Sequence, residues 1–435
     1  MVSSALTGCD LPFDTGSGSP NAYRFYRIKN GGDTVGTENR SIDLAYFRGS
    51  VHISDNSTIT FDTVSSGKRC GIVQLGLDMD STVPKIEWEN IAAMTDETLP
   101  DGRYVGNFKA MDVNSDGNIA VDVMAKTPSG GSITHQMSGL YLQTDINEGF
   151  QPVLTYGQKL DGDSVFTTGQ LGDIDLHDDN EIMFAGHFKS VDDSSEHGQG
   201  VMYLPGASVE DSQMLVSTGD FVPLSNHAFE SFGLLDMHDN GHYAIGGQAA
   251  SLSSPKDGSS DDASQPLLIS GNVATSENSV LGATESMSVG VVKAPCFFGP
   301  RVTSAGKIYS IGWDEANDNM HLYLDENKVI SSGDVSPLGN TALYFSTGSV
   351  AGDNALFYTI TSSQVNGKIV QELVYFDGSA HTVLLTSGER LSDGSEPVEN
   401  IVFGGTTKHV DSQNRLVFYC TFTDGSKSLV LGIPA

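Results

Sequence analysis

The chain has 435 residues, with 23 Lys and Arg against 55 Asp and Glu and a formal net charge of −32 at pH 7. That balance excludes nucleic acid as a partner, because so acidic a chain has nothing with which to neutralise phosphates. A hydrophobic share of 38%, a charged share of 18% and 49 Gly exclude a disordered composition and suit a packed fold of many short strands and turns.

At the amino end, Leu6-Thr7-Gly8-Cys9 matches a bacterial lipobox, in which small residues precede a cysteine that becomes lipidated. Asp10 to Pro20, rich in Gly, Ser and Pro, reads as a flexible tether. Only Met1 to Ala5 precede the box, without a basic region or an apolar run. No stretch approaches the roughly 18 uninterrupted apolar residues of a spanning helix, so the membrane is reached through the lipid on Cys9 alone. Asp10, directly after the cysteine, resembles an inner-membrane retention signal. The expectation is an exported, membrane-anchored lipoprotein facing the periplasm or cell exterior, with residues 1–20 as tether and 21–435 as folded body.

The folded body opens on Tyr23-Arg-Phe-Tyr-Arg-Ile28, an alternating strand signal, and then repeats one pattern seven times. Ile53–Phe61, Met111–Val121, Ile174–Phe184, Leu235–Ile245, Val302–Ile311, Val350–Tyr358 and Val410–Phe418 each read as a β-hairpin. In each, a polar turn rich in Gly or Asn separates two apolar stretches. The turns fall near residues 56, 116, 179, 240, 305, 353 and 413. The first apolar residue after each turn is Ile59, Ile119, Ile182, Tyr243, Ile308, Leu356 and Leu416, giving steps of 60, 63, 61, 65, 48 and 60 residues. The short step requires one trimmed unit.

Two further strand signals follow each hairpin. Third strands include Ser138–Leu142, Gly200–Leu204, Pro266–Ile269, His321–Leu324 and Glu372–Phe376. Fourth strands include Pro152–Gly157, Met214–Gly219, Val329–Gly333 and Val383–Gly388. Four strands per unit without an intervening helix predict an all-β, seven-bladed β-propeller of four-stranded antiparallel blades. The last unit ends at Leu429–Ile433, its third strand, so Tyr23–Ile28 is expected to supply the fourth and close the ring.

The repeat resembles that of bacterial exported proteins with tandem Asn-x-x-Gly-x-x-Ala-Phe repeats. Asn114-Ser-Asp-Gly117-Asn-Ile-Ala120-Val121 fits with one conservative change, while other copies begin on His177, His238 or Asp411 and replace the glycine by Asn180 or Asn414. The resemblance spans roughly residues 40 to 435. It implies an exported, surface-anchored repeat protein and brings no catalytic residue with it.

Asp112, Asn114 and Asp116, followed by Gly117, have the opening of a calcium loop, with oxygen ligands at alternate positions before a glycine turn. The loop is incomplete, since Ala120 and Val123 stand where further ligands belong, and sister repeats put His177 and His238 at the Asn114 position. A plain Asx-type turn explains all the copies with one cause. His177 and His238 sit in equivalent turns of neighbouring blades and read as surface or turn-capping residues. Cys70, Cys296 and Cys420 lie in different repeats without metal-ligand spacing and read as buried, inert thiols, one disulfide being compatible with export. Sialidase-type Asp boxes are absent. Ser65-Ser-Gly-Lys68 and Ser253-Ser-Pro-Lys256 have the Ser-x-x-Lys spacing without the other serine-enzyme motifs.

With no catalytic constellation, the connections between second and third strands carry the functional expectation: Lys126–His135, Lys189–Gly198, Ser251–Ser264 and Ser362–Gly367. In a propeller these leave on the same face as the blade-to-blade connections, and a rigid scaffold presents them. The preferred reading is a non-enzymatic binding or scaffolding lipoprotein that meets a protein or glycan on that loop-rich face. The alternatives are a secreted polysaccharide hydrolase or lyase with a site in the central depression, and a structural ring in a surface assembly.

Overall fold

The computed structural model describes residues 23–37, 40–81, 83–129, 132–160, 166–190, 197–220, 227–251, 265–273, 277–281, 298–314, 319–325, 327–403 and 408–435. Cys9 with its tether, Cys296, Ser253–Lys256 and residues 191–196 of the Lys189–Gly198 connection lie outside them. The strands form seven four-stranded antiparallel sheets and one two-stranded hairpin, and the fold is a seven-bladed β-propeller. In chain order the blades take their strands from 46–94, 104–155, 166–217, 227–281, 298–331 and 341–386, and lastly from 398–434 together with 23–30. They are called blades 1 to 7 below. The chain divides into two compact units: one holds blades 1, 6 and 7 with the turn 115–117, the other holds blades 2 to 5.

In the first unit, the N-terminal strand completes the last blade as expected. Tyr23–Asn30 pairs antiparallel with Lys427–Pro434, Tyr23 opposite Pro434 and Asn30 opposite Ser428. Its alternation turns Tyr23 and Phe25 into one apolar cluster and Tyr26 and Ile28 into another. Phe25 meets Phe418 edge to face at 5.8 Å between ring centres, and the Tyr23 hydroxyl donates to the Asn414 carbonyl at 2.8 Å. Without this strand the backbone of Lys427–Pro434 would be an open sheet edge. Between blades 6 and 7, the His409 N–H donates to Ser349 Oγ at 2.8 Å. Between blades 7 and 1, the Lys408 N–H donates to His52 Nδ1 at 3.3 Å.

In the second unit, the hairpins stand where the repeat places them: 104–113 with 119–129, 166–176 with 182–190, 227–237 with 242–251, and 298–302 with 308–314. The short step is explained by blade 5, whose four strands have 5, 7, 6 and 5 residues. One expectation changes. Much of Lys126–His135 is strand rather than loop, with Thr127 opposite Thr134 and Ser129 opposite Ser132.

The first strand of every blade is an inner edge, and its outward N–H groups need partners from elsewhere. A repeated aspartate supplies them. Asp112 Oδ2 accepts from the Leu176 N–H at 2.7 Å, Asp175 Oδ2 from the Met237 N–H, and Asp236 Oδ2 from the Val302 N–H at 2.6 Å. Each carboxylate thus ties its blade to the next. Arg301 holds the same repeat position in blade 5, and its Nη1 donates back to Asp236 Oδ1 at 3.1 Å.

Candidate functional site

The inner strands of blades 2 to 5 share a second feature, a bulge in which two residues oppose one. Lys109–Ala110 oppose Asp122, Gly172–Asp173 oppose Ala185, Gly233–Leu234 oppose Gly246, and Gly299–Pro300 oppose Ser310. A bulge bends the strand and re-aims a side chain. In blade 3 that side chain is a carboxylate. Asp173 reaches toward blade 4, where its Oδ2 accepts from the Leu235 N–H at 3.1 Å.

Between the bulges of blades 3 and 4 lies a cleft of about 270 Å³, lined by Leu171–Asp173, Ala185–His187, Gln199, Gly200 and Phe232–Leu234. Its bare floor is a consequence of sequence. A Cβ on Gly233 would meet nothing nearer than the Gly246 carbonyl at 3.7 Å, and one on Gly172 would meet the Ala185 carbonyl at 3.3 Å. Packing within the protein therefore does not demand a glycine at 233. Mid-strand glycines weaken a strand and mark places where something approaches the backbone closely.

The polar wall is held in one orientation. Gln199 Oε1 accepts from the Phe232 N–H at 3.1 Å, which leaves its amide N–H₂ to face His187 Nε2 at 3.1 Å. An amide nitrogen only donates, so His187 Nε2 accepts and the ring proton lies on Nδ1. His187 stands opposite Gln199 two residues from the strand ends, where Lys189 pairs with His197. The cleft therefore lies beside the exit of the Lys189–Gly198 connection.

Asp173 is the charged member of this lining. Burial pushes its carboxyl up to about 7, and Asp175 adds to the rise by like-charge repulsion. The Leu235 and Ile174 N–H groups and the Arg301 guanidinium act in the opposite direction without cancelling it. The chain thus keeps in its cleft a carboxyl that changes charge near neutrality.

The residues singled out from sequence have other occupations. Asp112 bridges to Leu176. Asn114 Oδ1 accepts from the Asn118 N–H at 2.9 Å, closing its own turn, while its Nδ2 donates to the His177 carbonyl at 3.2 Å. The Asp116 carbonyl accepts from Asn56 Nδ2 at 2.6 Å. The calcium-like spacing is therefore also the spacing of a turn laced to its neighbours. His177 is buried rather than superficial, with Nε2 3.2 Å from Asp175 and Nδ1 3.0 Å from Asp239 of the next turn. Cys70 and Cys420 are free thiols, half-buried and buried respectively. Asp173, His187 and Gln199 carry no motif. The signal that points to them is the pair Gly172 and Gly233, which occupy the same repeat position in adjacent blades.

Seven four-stranded blades, closed by an N-terminal strand and holding a polar cleft between two of them, define a β-propeller protein. More particularly, the chain belongs to the family described as a family of unknown function (DUF7453), whose model matches residues 27–265 and so includes the whole cleft. No curated protein matches the sequence. Solved structures with a similar course include a protein of unknown function from Dyadobacter fermentans DSM 18053, 9% identical over 95% of this chain and 98% of that one, with a TM-score of 0.39. Others are a PL25 ulvan lyase bound to a GlcA–Rha3S oligosaccharide, 9% identical over 93% and 95% with a TM-score of 0.43, and an α-L-arabinanase from Penicillium chrysogenum, 10% identical over 94% and 98% with a TM-score of 0.37. Likenesses at this level carry no argument about activity.

Proposed function

We propose that the protein is a non-enzymatic binding propeller of the cell envelope, anchored through a lipid on Cys9, that takes a glycan in the cleft between blades 3 and 4. The observation that carries this reading is the cleft itself: about 270 Å³, with a carboxyl, an amide and an imidazole beside a phenyl ring and a bare glycine floor. Fixed polar groups suit hydroxyls, and the ring of Phe232 suits the apolar face of a sugar. Its place beside the Lys189–Gly198 exit accords with a partner reached from the loop-rich face.

A second reading, a polysaccharide hydrolase or lyase, is favoured by one observation: Asp173, raised to about 7, has the proton affinity that a general acid needs near neutral pH. The binding reading stands first because Asp173 is the one carboxyl among the described residues lining the cleft, while glycoside hydrolysis ordinarily uses two. The test is a panel of envelope oligosaccharides offered to the chain and to Gly233→Val, with reducing ends and unsaturated products assayed in parallel. Binding by the wild type, its loss in Gly233→Val and unchanged oligosaccharide are expected. New reducing ends or unsaturated products would favour the enzyme, and binding that survives Gly233→Val would move the site elsewhere. Retention in the membrane fraction, lost in Cys9→Ala, tests the anchor.

A further inference from the structure

Resting on that glycan-binding reading, we propose that the cleft selects a sugar bearing a free ammonium group, with the Asp173 carboxylate as its counter-ion and the Phe232 ring as its flank. Among the described residues the lining has one acidic side chain and neither Lys nor Arg, so an anionic sugar meets no partner charge there, whereas an ammonium meets a carboxylate and an aromatic ring.

The surroundings keep the Asp173 charge available to a ligand. On its own strand, Asp175 is occupied by the Met237 N–H and His177. From blade 5, Arg301 is paired with Asp236. From blade 4, Leu235 offers one backbone N–H to Asp173 Oδ2 and no charge. From the second and third strands of blade 3, His187 and Gln199 are engaged with each other. The net field at Asp173 therefore holds the carboxyl short of a full counter-charge, and burial raises it to about 7. A bound ammonium supplies what is missing. Its arrival must expel the proton that Asp173 holds, by linkage, and a neutral sugar expels none.

The experiment is calorimetric titration of the full chain with glucosamine, N-acetylglucosamine and glucose at pH 6.5, where an aliphatic amine is charged and Asp173 is mostly protonated. Each titration is run in two buffers of different ionisation enthalpy, so that proton release is read directly. The expected result is glucosamine binding about tenfold tighter than the other two, with net proton release for glucosamine alone. Asp173→Asn should lose the tenfold preference and the proton release. Gly233→Val, which keeps Asp173, should lose all three sugars. Equal affinity for all three, or a preference that survives Asp173→Asn, overturns the inference and leaves the glycan site standing. Absence of binding by every sugar here and throughout the oligosaccharide panel overturns both.

Discussion

Replacing Asp173 by Asn should make stability depend on pH in a way that isolates one carboxyl. In the fold this group is raised from its ordinary value of 3.8 to about 7. At about 1.4 kcal/mol per pH unit of separation, ionising it costs the folded chain on the order of 4 kcal/mol. The direction follows from linkage. Below about pH 4 the carboxyl is neutral in folded and unfolded chains, and nothing is lost. As pH rises toward 7, the unfolded chain releases its proton and the folded chain keeps it, so stability falls, and above 7 the loss is complete. The asparagine variant keeps an oxygen for the Leu235 N–H and does not titrate. Measured by urea unfolding, wild type minus variant should therefore become less favourable by about 3 kcal/mol between pH 5 and pH 8. All other carboxylates titrate alike in the two proteins and cancel in the difference. A difference that stays flat over this range would refute the claim that burial governs Asp173.

Three further outcomes are expected. Asp112→Ala removes the acceptor of the buried Leu176 N–H and should cost about 1–3 kcal/mol in chemical denaturation, with Asp112→Asn costing less. Deleting residues 23–30 bares the edge of Lys427–Pro434 and should yield concentration-dependent association in light scattering. Burial pushes the Cys420 thiol up, so at pH 8 alkylation mapped by mass spectrometry should label half-buried Cys70 and spare Cys420.

The architecture was legible because it is written seven times. A hairpin turn favours Gly or Asn at positive φ, and Gly117, Asn180, Gly241, Gly306, Gly352 and Asn414 all adopt it, so local chemistry marks six of the seven hairpins, while Ser57 takes that conformation in the first. The closing strand was legible for a different reason: the last unit lacked one strand, and Tyr23–Ile28 had the alternation to fill it. The ties between blades were not. In sequence, Asp112 and Asn114 look like ligands of one loop, because nothing local says that the partner of Asp112 is an N–H 64 residues away. The same holds for the cleft. Asp173 becomes unusual only through the bulge that turns it toward blade 4 and the neighbours that bury it. The Lys126–His135 segment was misread as loop because its polar residues sit in long paired strands.

The bulge also explains how one blade pair acquires a site without departing from the repeat. The inner strands of blades 2 to 4 bend at the same place and that of blade 5 one residue nearer its turn, so the scaffold offers each of these blades a position where a side chain leaves the ladder. What fills that position differs: Lys109–Ala110, Gly172–Asp173, Gly233–Leu234 and Gly299–Pro300. In blade 2 the first bulge residue is a lysine and the second cannot hydrogen-bond through its side chain, so no bare floor forms beside a polar group. Blade 5 has its bulge one residue nearer the turn, with a proline in it, and its strand is only 5 residues long. Blades 3 and 4 together place one carboxyl between two glycines, and the third-strand Gln199 fixes the wall opposite. Converting Leu234 to Asp should then create a second ionisable group facing the same cleft. By like-charge repulsion it should push Asp173 further up, shifting the stability difference above to higher pH.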